Sequence, residues 1–278
     1  KNKWSDEWSK NAGEDQRAIA IGVAGLADFF AKKKISFESE EAKEWTKKIF
    51  ETMYKSALTE SMNLAIEEGT NYPAWEGSKY SKGETYIEGW SPLEKGEPIP
   101  MKNSLLLGLM PTASSAILLG SFECFEPITS NVFTRMVGDG EFLVVNKYLV
   151  QELSELGLWN EDIRDRVIAN EGSVQNIQEI PEDIRYRYKT VWEIPQKTLL
   201  DLSIIRNKYV DQSQSLNVYH KDAKYSKISS ALSYAWKKGL KTGVYYTRTE
   251  AKLGKNKKLS ASSNEAISDT PKKPDNSM

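Results

Sequence analysis

Leu105-Leu106-Leu107-Gly108-Leu109-Met110-Pro111-Thr112-Ala113-Ser114-Ser115-Ala116-Ile117-Leu118-Leu119-Gly120 is the stretch whose reading decides the fold. Its first half is a short, almost unbroken apolar run, the pattern of a strand covered on both faces. Pro111 stops the run, and Thr112, Ser114 and Ser115 supply the small hydroxyl residues that open a short helix. A strand that gives way to a helix in this manner gathers free backbone N–H groups, hydroxyls and the positive ends of peptide dipoles at one point, an arrangement that suits a phosphate. An ordinary strand followed by a Ser/Thr-capped helix gives the same pattern.

Composition narrows the partners. A chain of 278 residues can bury a substantial core, as one large domain or two ordinary ones. Lys and Arg (38) nearly balance Asp and Glu (39), so no net field draws the chain to a nucleic-acid backbone or an anionic membrane, and any phosphate contact is local. No apolar run approaches the ~20 residues of a bilayer span. The opening Lys1-Asn2-Lys3-Trp4-Ser5-Asp6-Glu7-Trp8 has no signal-peptide core. The expectation is a soluble, cytoplasmic protein with no nucleic-acid and no membrane partner. A single cysteine, Cys124, excludes an internal disulfide, and a single histidine, His220, leaves no histidine pair for a metal, so no metal site is expected on this chain.

Outward from the central stretch, residues 1–17 carry no clear period and read as an irregular lead-in. Ile19 to Ala31 is rich in small residues and reads equally as strand or helix. From Ser39 to Glu68 apolar positions recur at three and four, with Ser39 as N-cap and Gly69 past the end, which predicts a long helix. Residues 70–102 read as a long connection packed down by Tyr72, Trp75, Tyr80, Tyr86 and Trp90. Phe122 to Arg135 reads as a polar, irregular loop able to line a site. Asn146 and Asn160 each cap a helix, and Pro181 and Pro195 each open one, the first running through Trp192. Tyr209 to Tyr219 reads as a strand whose polar side chains face a polar cavity. A helix from about Ser226 to Lys238 and a strand over Gly243 to Arg248 follow, and 251–278 reads as a disordered tail. Strands separated by helical pairs argue for an α/β architecture.

Five motifs then fall in one order: Gly25-Leu26-Ala27-Asp28; Met110-Pro111-Thr112-Ala113-Ser114-Ser115; Glu126-Pro127 with Thr129-Ser130-Asn131; Asp211-Gln212-Ser213-Gln214-Ser215-Leu216-Asn217; and Gly239-Leu240-Lys241-Thr242-Gly243-Val244-Tyr245-Tyr246. Together they resemble the carboxy-terminal half of the large subunit of class I ribonucleotide reductases. The resemblance implies an α/β fold over 18–250, the second half of that family's ten-stranded α/β barrel with its flanking helices. In the family the Pro-Thr-Ala-Ser turn holds the substrate diphosphate, a role that falls here on Pro111, Thr112, Ala113, Ser114 and Ser115. The family's consecutive radical-transfer tyrosines fall on Tyr245 and Tyr246. A phenol suits that task because it is oxidisable and its proton can pass to a hydrogen-bonded neighbour. A tyrosine pair is also what strand propensity alone selects. A working relay requires the backbone to bend or end at the pair, with ring centroids roughly 4.5–7 Å apart.

The resemblance further implies a role in reducing nucleoside diphosphates to deoxyribonucleotides for DNA synthesis. No cofactor is expected on this chain; the radical would come from a metal-containing small subunit and the reducing equivalents from an external dithiol. The family's radical cysteine, which lies in its amino-terminal half, has no match here. Cys124 stands where the family has another residue and reads as a packing cysteine, and 255–278 lack the family's terminal cysteine pair. The expectation is one piece of a large subunit divided between two polypeptides, inactive alone, with apolar surface near Leu105–Leu109 and Val244 left for the amino-terminal half. Ile228, Leu232 and Trp236 are expected to include a surface for the small subunit's tail, with core packing as their other possible fate. A cobalamin-dependent relative and a catalytically silent scaffold are the two alternatives.

Overall fold

The computed structural model describes residues 3–137, 140–222 and 224–249; the tail reading for 251–278 lies outside the described residues. The lead-in is not irregular. Glu7–Gln16 form helix α1, whose start is set by the Asp6 carboxylate accepting from Ser9 N at 2.7 Å. The helix buries none of its residues, so it carries no apolar period, and the capping group is its one mark in the sequence.

Ile19 to Ala31 divides between the two conformations it allows. Ile21 bridges Leu107 in parallel, and Leu26–Lys32 form α2. Helix α3, Glu40–Glu68, has the expected ends: the Ser39 hydroxyl accepts from Ala42 N, and Gly69 closes the helix in the left-handed conformation at φ 64°. Its buried face, Phe50, Tyr54, Leu58 and Met62, belongs to the main core together with Leu106, Leu107 and Val210. The connection over 70–102 packs down on its aromatics as expected; Tyr72 and Tyr80 are buried and Trp75 Nε1 donates to Ile99 O at 2.8 Å.

The remaining elements are α4 (Ala113–Leu119), β1 (Val132–Val137), β2 (Gly140–Val145), α5 (Lys147–Glu155), α6 (Glu161–Ala169), α7 (Glu182–Arg187), α8 (Gln196–Asn207), β3 (Asn217–His220), α9 (Tyr225–Lys237) and β4 (Tyr246–Thr249). Two readings change. The segment expected to stay a loop as far as Arg135 becomes strand at Val132, because its β-branched and aromatic residues pair antiparallel with Gly140–Val145. The helix opened by Pro181 ends at Arg187, before Trp192.

Four extended segments lie side by side and parallel. Ile21 bridges Leu107, Leu109 bridges Gln214, and β3 pairs with β4 in the register Asn217 to Tyr246 through His220 to Thr249. Leu106, Leu107, Gly108 and Leu109 are buried, as a strand covered on both faces requires. The stretch from Tyr209 to Tyr219 joins the ladder only in part, and its polar side chains divide: Asn217 and Tyr219 line a cavity, as expected, whereas Asp211 and Gln214 turn to the core. Buried Asp211 accepts from Leu106 N at 2.7 Å and Leu107 N at 2.8 Å, and Gln214 accepts from the buried Arg206 guanidinium. Both outer members are uncovered: Ile19 and Ile21 are 41% and 40% exposed, and every residue of β4 is exposed.

A second, smaller core lies between the β1–β2 hairpin and α5 to α7, built on Leu149, Leu153, Val167, Ile177 and Ile180. Asp28 of α2 ties it to the first, accepting from Phe122 N at 2.7 Å and from the Tyr148 hydroxyl at 2.8 Å. Among the described residues, no helix is long and apolar enough to cross a membrane.

Candidate active site: a hydroxyl turn, a tyrosine pair and a cavity

The hydroxyl turn forms where the sequence places it, with a different use for its first residue. Thr112 is the N-cap of α4, yet its side chain makes no capping hydrogen bond. Its hydroxyl oxygen accepts from Cys124 N at 2.8 Å and donates to Cys124 Sγ at 3.3 Å, while Thr112 N donates to the same sulfur at 3.2 Å. The Cys124 thiol donates in turn to Met110 O at 3.3 Å. Thr112 is therefore anchored to the loop behind it. Cys124 is buried, as a packing cysteine should be, but it also clasps the turn, with its backbone held at φ 45°. Burial pushes its thiol above the usual range, so it stays a hydrogen-bonding thiol at neutral pH. Pro111, Ala113, Ser114 and Ser115 are exposed, and among the described residues the hydroxyls of Ser114 and Ser115 have no hydrogen-bond partner.

Two residues beyond Cys124, the Glu126 carboxylate accepts three hydrogen bonds from β3: Asn217 N at 2.9 Å, Asn217 Nδ2 at 3.0 Å and the Tyr219 hydroxyl at 2.8 Å. Burial, and the carboxylate beside it, push the Tyr219 phenol well above its ordinary range, so it remains a donor. Trp192 meets the Tyr219 ring edge-on at 5.1 Å.

Tyr245 N donates to Leu216 O at 2.7 Å, and β4 begins at the next residue. The pair thus stands at the strand's start, where the backbone need not send successive side chains to opposite faces. The ring centroids lie 4.3 Å apart at 60°, slightly closer than the lower bound of roughly 4.5 Å expected from sequence. The hydrogen-bonding phenol of Tyr246 raises the Tyr245 phenol above its ordinary value. Each tyrosine is 51% exposed, and the Arg248 guanidinium lies 5.3 Å from the Tyr246 ring centre.

A cavity of about 1030 Å3 lies between α4, the Glu126 loop, β3 and β4. Ala116 and Ile117 of α4 line it, facing Glu126, Asn217, Tyr219, Tyr246 and Arg248. Of the residues singled out from sequence, Tyr246 lines this cavity directly. Tyr245, whose ring meets that of Tyr246 edge-on, does not line it, and neither do Pro111 to Ser115, which precede the α4 residues at its wall. Sequence reasoning placed Glu126 and Asn217 within motifs without giving them a task, and gave Cys124 packing alone. The signal was tertiary, because their partners lie 91 residues and 12 residues away along the chain. Among the described residues, no group of three or more His, Cys, Asp or Glu side chains could hold a metal ion.

Comparisons with known proteins agree with this architecture. The family model for the ribonucleotide reductase barrel domain matches residues 2–246. The ribonucleoside-diphosphate reductase large chain of Schizosaccharomyces pombe is 48% identical over 246 residues, covering 84% of this chain and 30% of that protein. The corresponding large chain of Cryptosporidium parvum is 46% identical over 254 residues, covering 87% of this chain and 32% of that protein. The class Id ribonucleotide reductase alpha subunit of Actinobacillus ureae superposes with a TM-score of 0.72 at 26% identity, over 87% of this chain and 41% of that one. The chain spans about a third of the length of the two large chains it matches in sequence. With its parallel layer open at both edges and a family model matched over most of its length, the chain belongs to the ribonucleotide reductase barrel-domain family.

Proposed function

We propose that this chain is the diphosphate-binding and radical-relay portion of the catalytic large subunit of a ribonucleoside-diphosphate reductase, working in the cytoplasm. The observation that carries the reading is the 4.3 Å tyrosine pair, of which Tyr246 lines the cavity that α4 also lines. Pro111, Thr112, Ala113, Ser114 and Ser115 hold the substrate diphosphate. The unpartnered hydroxyls of Ser114 and Ser115 support this, and Thr112 serves through its anchoring to Cys124. Tyr245 and Tyr246 pass one oxidising equivalent: the phenol that is oxidised loses an electron and a proton, and its radical is refilled by an electron and proton from the other.

The remainder of the barrel, with the thiol that the relay oxidises beside the ribose, comes from residues outside these 278, on the same polypeptide or on a second. The open edges at Ile21 and β4 are where it would add. A metal-containing small subunit supplies the radical, and an external dithiol restores the active-site thiols. Trp236, 77% exposed, and Leu232, 42% exposed, offer the apolar side of α9 to that subunit's tail, whereas Ile228 is half-buried.

The test is the assembled enzyme with Tyr246→Phe or Tyr245→Phe. Phenylalanine keeps the ring and removes the transferable proton, so turnover should fall by about 1000-fold or more while nucleoside diphosphate binding is kept. Unchanged turnover would overturn the relay and favour the cobalamin-dependent alternative. Loss of diphosphate binding without loss of fold in Ser114→Ala with Ser115→Ala checks the turn separately.

A further inference from the structure

The relay needs more than two adjacent phenols. Tyr246 belongs to an exposed, four-residue strand held, among the described residues, on one side only, by β3. A strand so short and so exposed is a poor holder of geometry by itself. What holds β3 is therefore part of what holds the phenols.

The register sets Asn217 opposite Tyr246 and Tyr219 opposite Arg248. These two residues of β3 are the ones grasped by Glu126, through the Asn217 backbone N–H, the Asn217 amide and the Tyr219 hydroxyl. Nothing is left of the carboxylate's orientation to vary: one oxygen is set by a backbone amide and the other by two side-chain donors. Two residues earlier on the same loop, Cys124 clasps Thr112. Between them Phe125 is buried beneath the Arg206 guanidinium, 4.2 Å from its ring centre. The loop is thus fastened at three successive positions, to the hydroxyl turn, to a buried cation and to the strand that pairs with Tyr246.

We propose that Glu126 is a positioning residue of the radical relay, holding β3 so that Tyr246 keeps its place against Tyr245 and at the cavity wall. The proposal rests on the relay reading and extends it to a residue that touches neither phenol. A carboxylate is required at this position because all three partners are donors. A carboxamide of the same shape offers one acceptor and turns its own N–H2 toward a donor, so at least one of the three bonds is lost and one contact becomes repulsive. Relay between phenols, like other reactions that depend on approach, loses rate steeply when the reacting groups shift by a fraction of an ångström.

The experiment uses the assembled large subunit with its small subunit and measures kcat and KM for a nucleoside diphosphate in Glu126→Gln, Glu126→Asp and Tyr219→Phe, with Tyr246→Phe as reference. Glu126→Gln should lower kcat about tenfold or more with KM within about twofold, the size of one charged hydrogen bond. Glu126→Asp, which keeps the charge on a shorter arm, should recover part of that loss. Tyr219→Phe removes one donor and leaves the carboxylate intact, so it should give a smaller loss in kcat alone, and it reports if Glu126→Gln does not fold.

A merely structural Glu126 would lower the melting temperature while leaving kcat per folded molecule unchanged, which overturns the proposal. A rise in KM with kcat preserved would place Glu126 in substrate binding and overturn it equally. Turnover retained in Tyr246→Phe would remove the relay reading itself; turnover lost in Tyr246→Phe but preserved in both Glu126→Gln and Tyr219→Phe would remove the positioning role alone.

Discussion

A single carboxylate holds the middle of the parallel layer. Asp211 accepts from two consecutive backbone amides, Leu106 and Leu107, at the point where the apolar run passes through the core. Burial raises the Asp211 carboxyl above its usual range even though both amides favour the charged form. Asp211→Ala leaves those buried N–H groups without an acceptor and should cost about 2–4 kcal/mol in urea unfolding; Asp211→Asn, which keeps one acceptor oxygen, should cost less. His220 offers a second check at this scale, since it is the only histidine. Burial first, and Lys227 second, hold its imidazole below the ordinary 6.5. The unfolded chain then takes up the proton before the folded one as pH falls. The contribution is fully present above pH 6.5 and is lost progressively below it, toward the folded value. A melting temperature followed from about pH 7.5 to about 5.5 should fall less in His220→Gln than in the parent.

Among the elements, α3 was legible end to end, because its caps and its apolar period are both local. Ser39→Ala removes the acceptor for Ala42 N and should cost about 1 kcal/mol in thermal or urea unfolding, with the fold kept. The hairpin β1–β2 was harder to read. Its base is fixed by Asn131, whose amide donates to Gly172 O and Tyr188 O, each at 2.9 Å, while its oxygen accepts from Asn146 Nδ2. Gly172 sits at φ 86°, and a Cβ there would come within 2.7 Å of Asn131 N and meet the Ser130 hydroxyl. Gly172→Ala should therefore destabilise the smaller core by about 2 kcal/mol or more, seen as earlier amide exchange in α5 and α6 than in α3. The short strand β4 belongs with these elements set by distant partners, and its position depends on β3 more than on its own residues.

Across the whole molecule, the parallel layer stops at two uncovered edges, and α4 ends in Ile117, Leu118 and Leu119, which are 60%, 88% and 70% exposed. Apolar surface and unpaired strand edges of this kind drive self-association. The chain expressed by itself should associate in sedimentation velocity, and Ile21→Lys with Leu118→Lys should reduce that association without lowering the melting temperature, because neither side chain is in a core.

The sequence by itself determined α3 and the helices after it in outline, though not the β1–β2 pair, and with them the apolar segment that crosses the core, the hydroxyl turn after Pro111 and the tyrosine pair. Each of these is written in neighbouring residues through period, caps and breakers. It could not show that Thr112 spends its hydroxyl on Cys124, that Asp211 and Gln214 face the core, or that Glu126 grips β3, because those bonds join residues brought together only when the layers close. Nor could it bring α4 and Tyr246 to one cavity, since 129 positions separate Ile117 from Tyr246 along the chain and only the packing of the segments between them lets both line it.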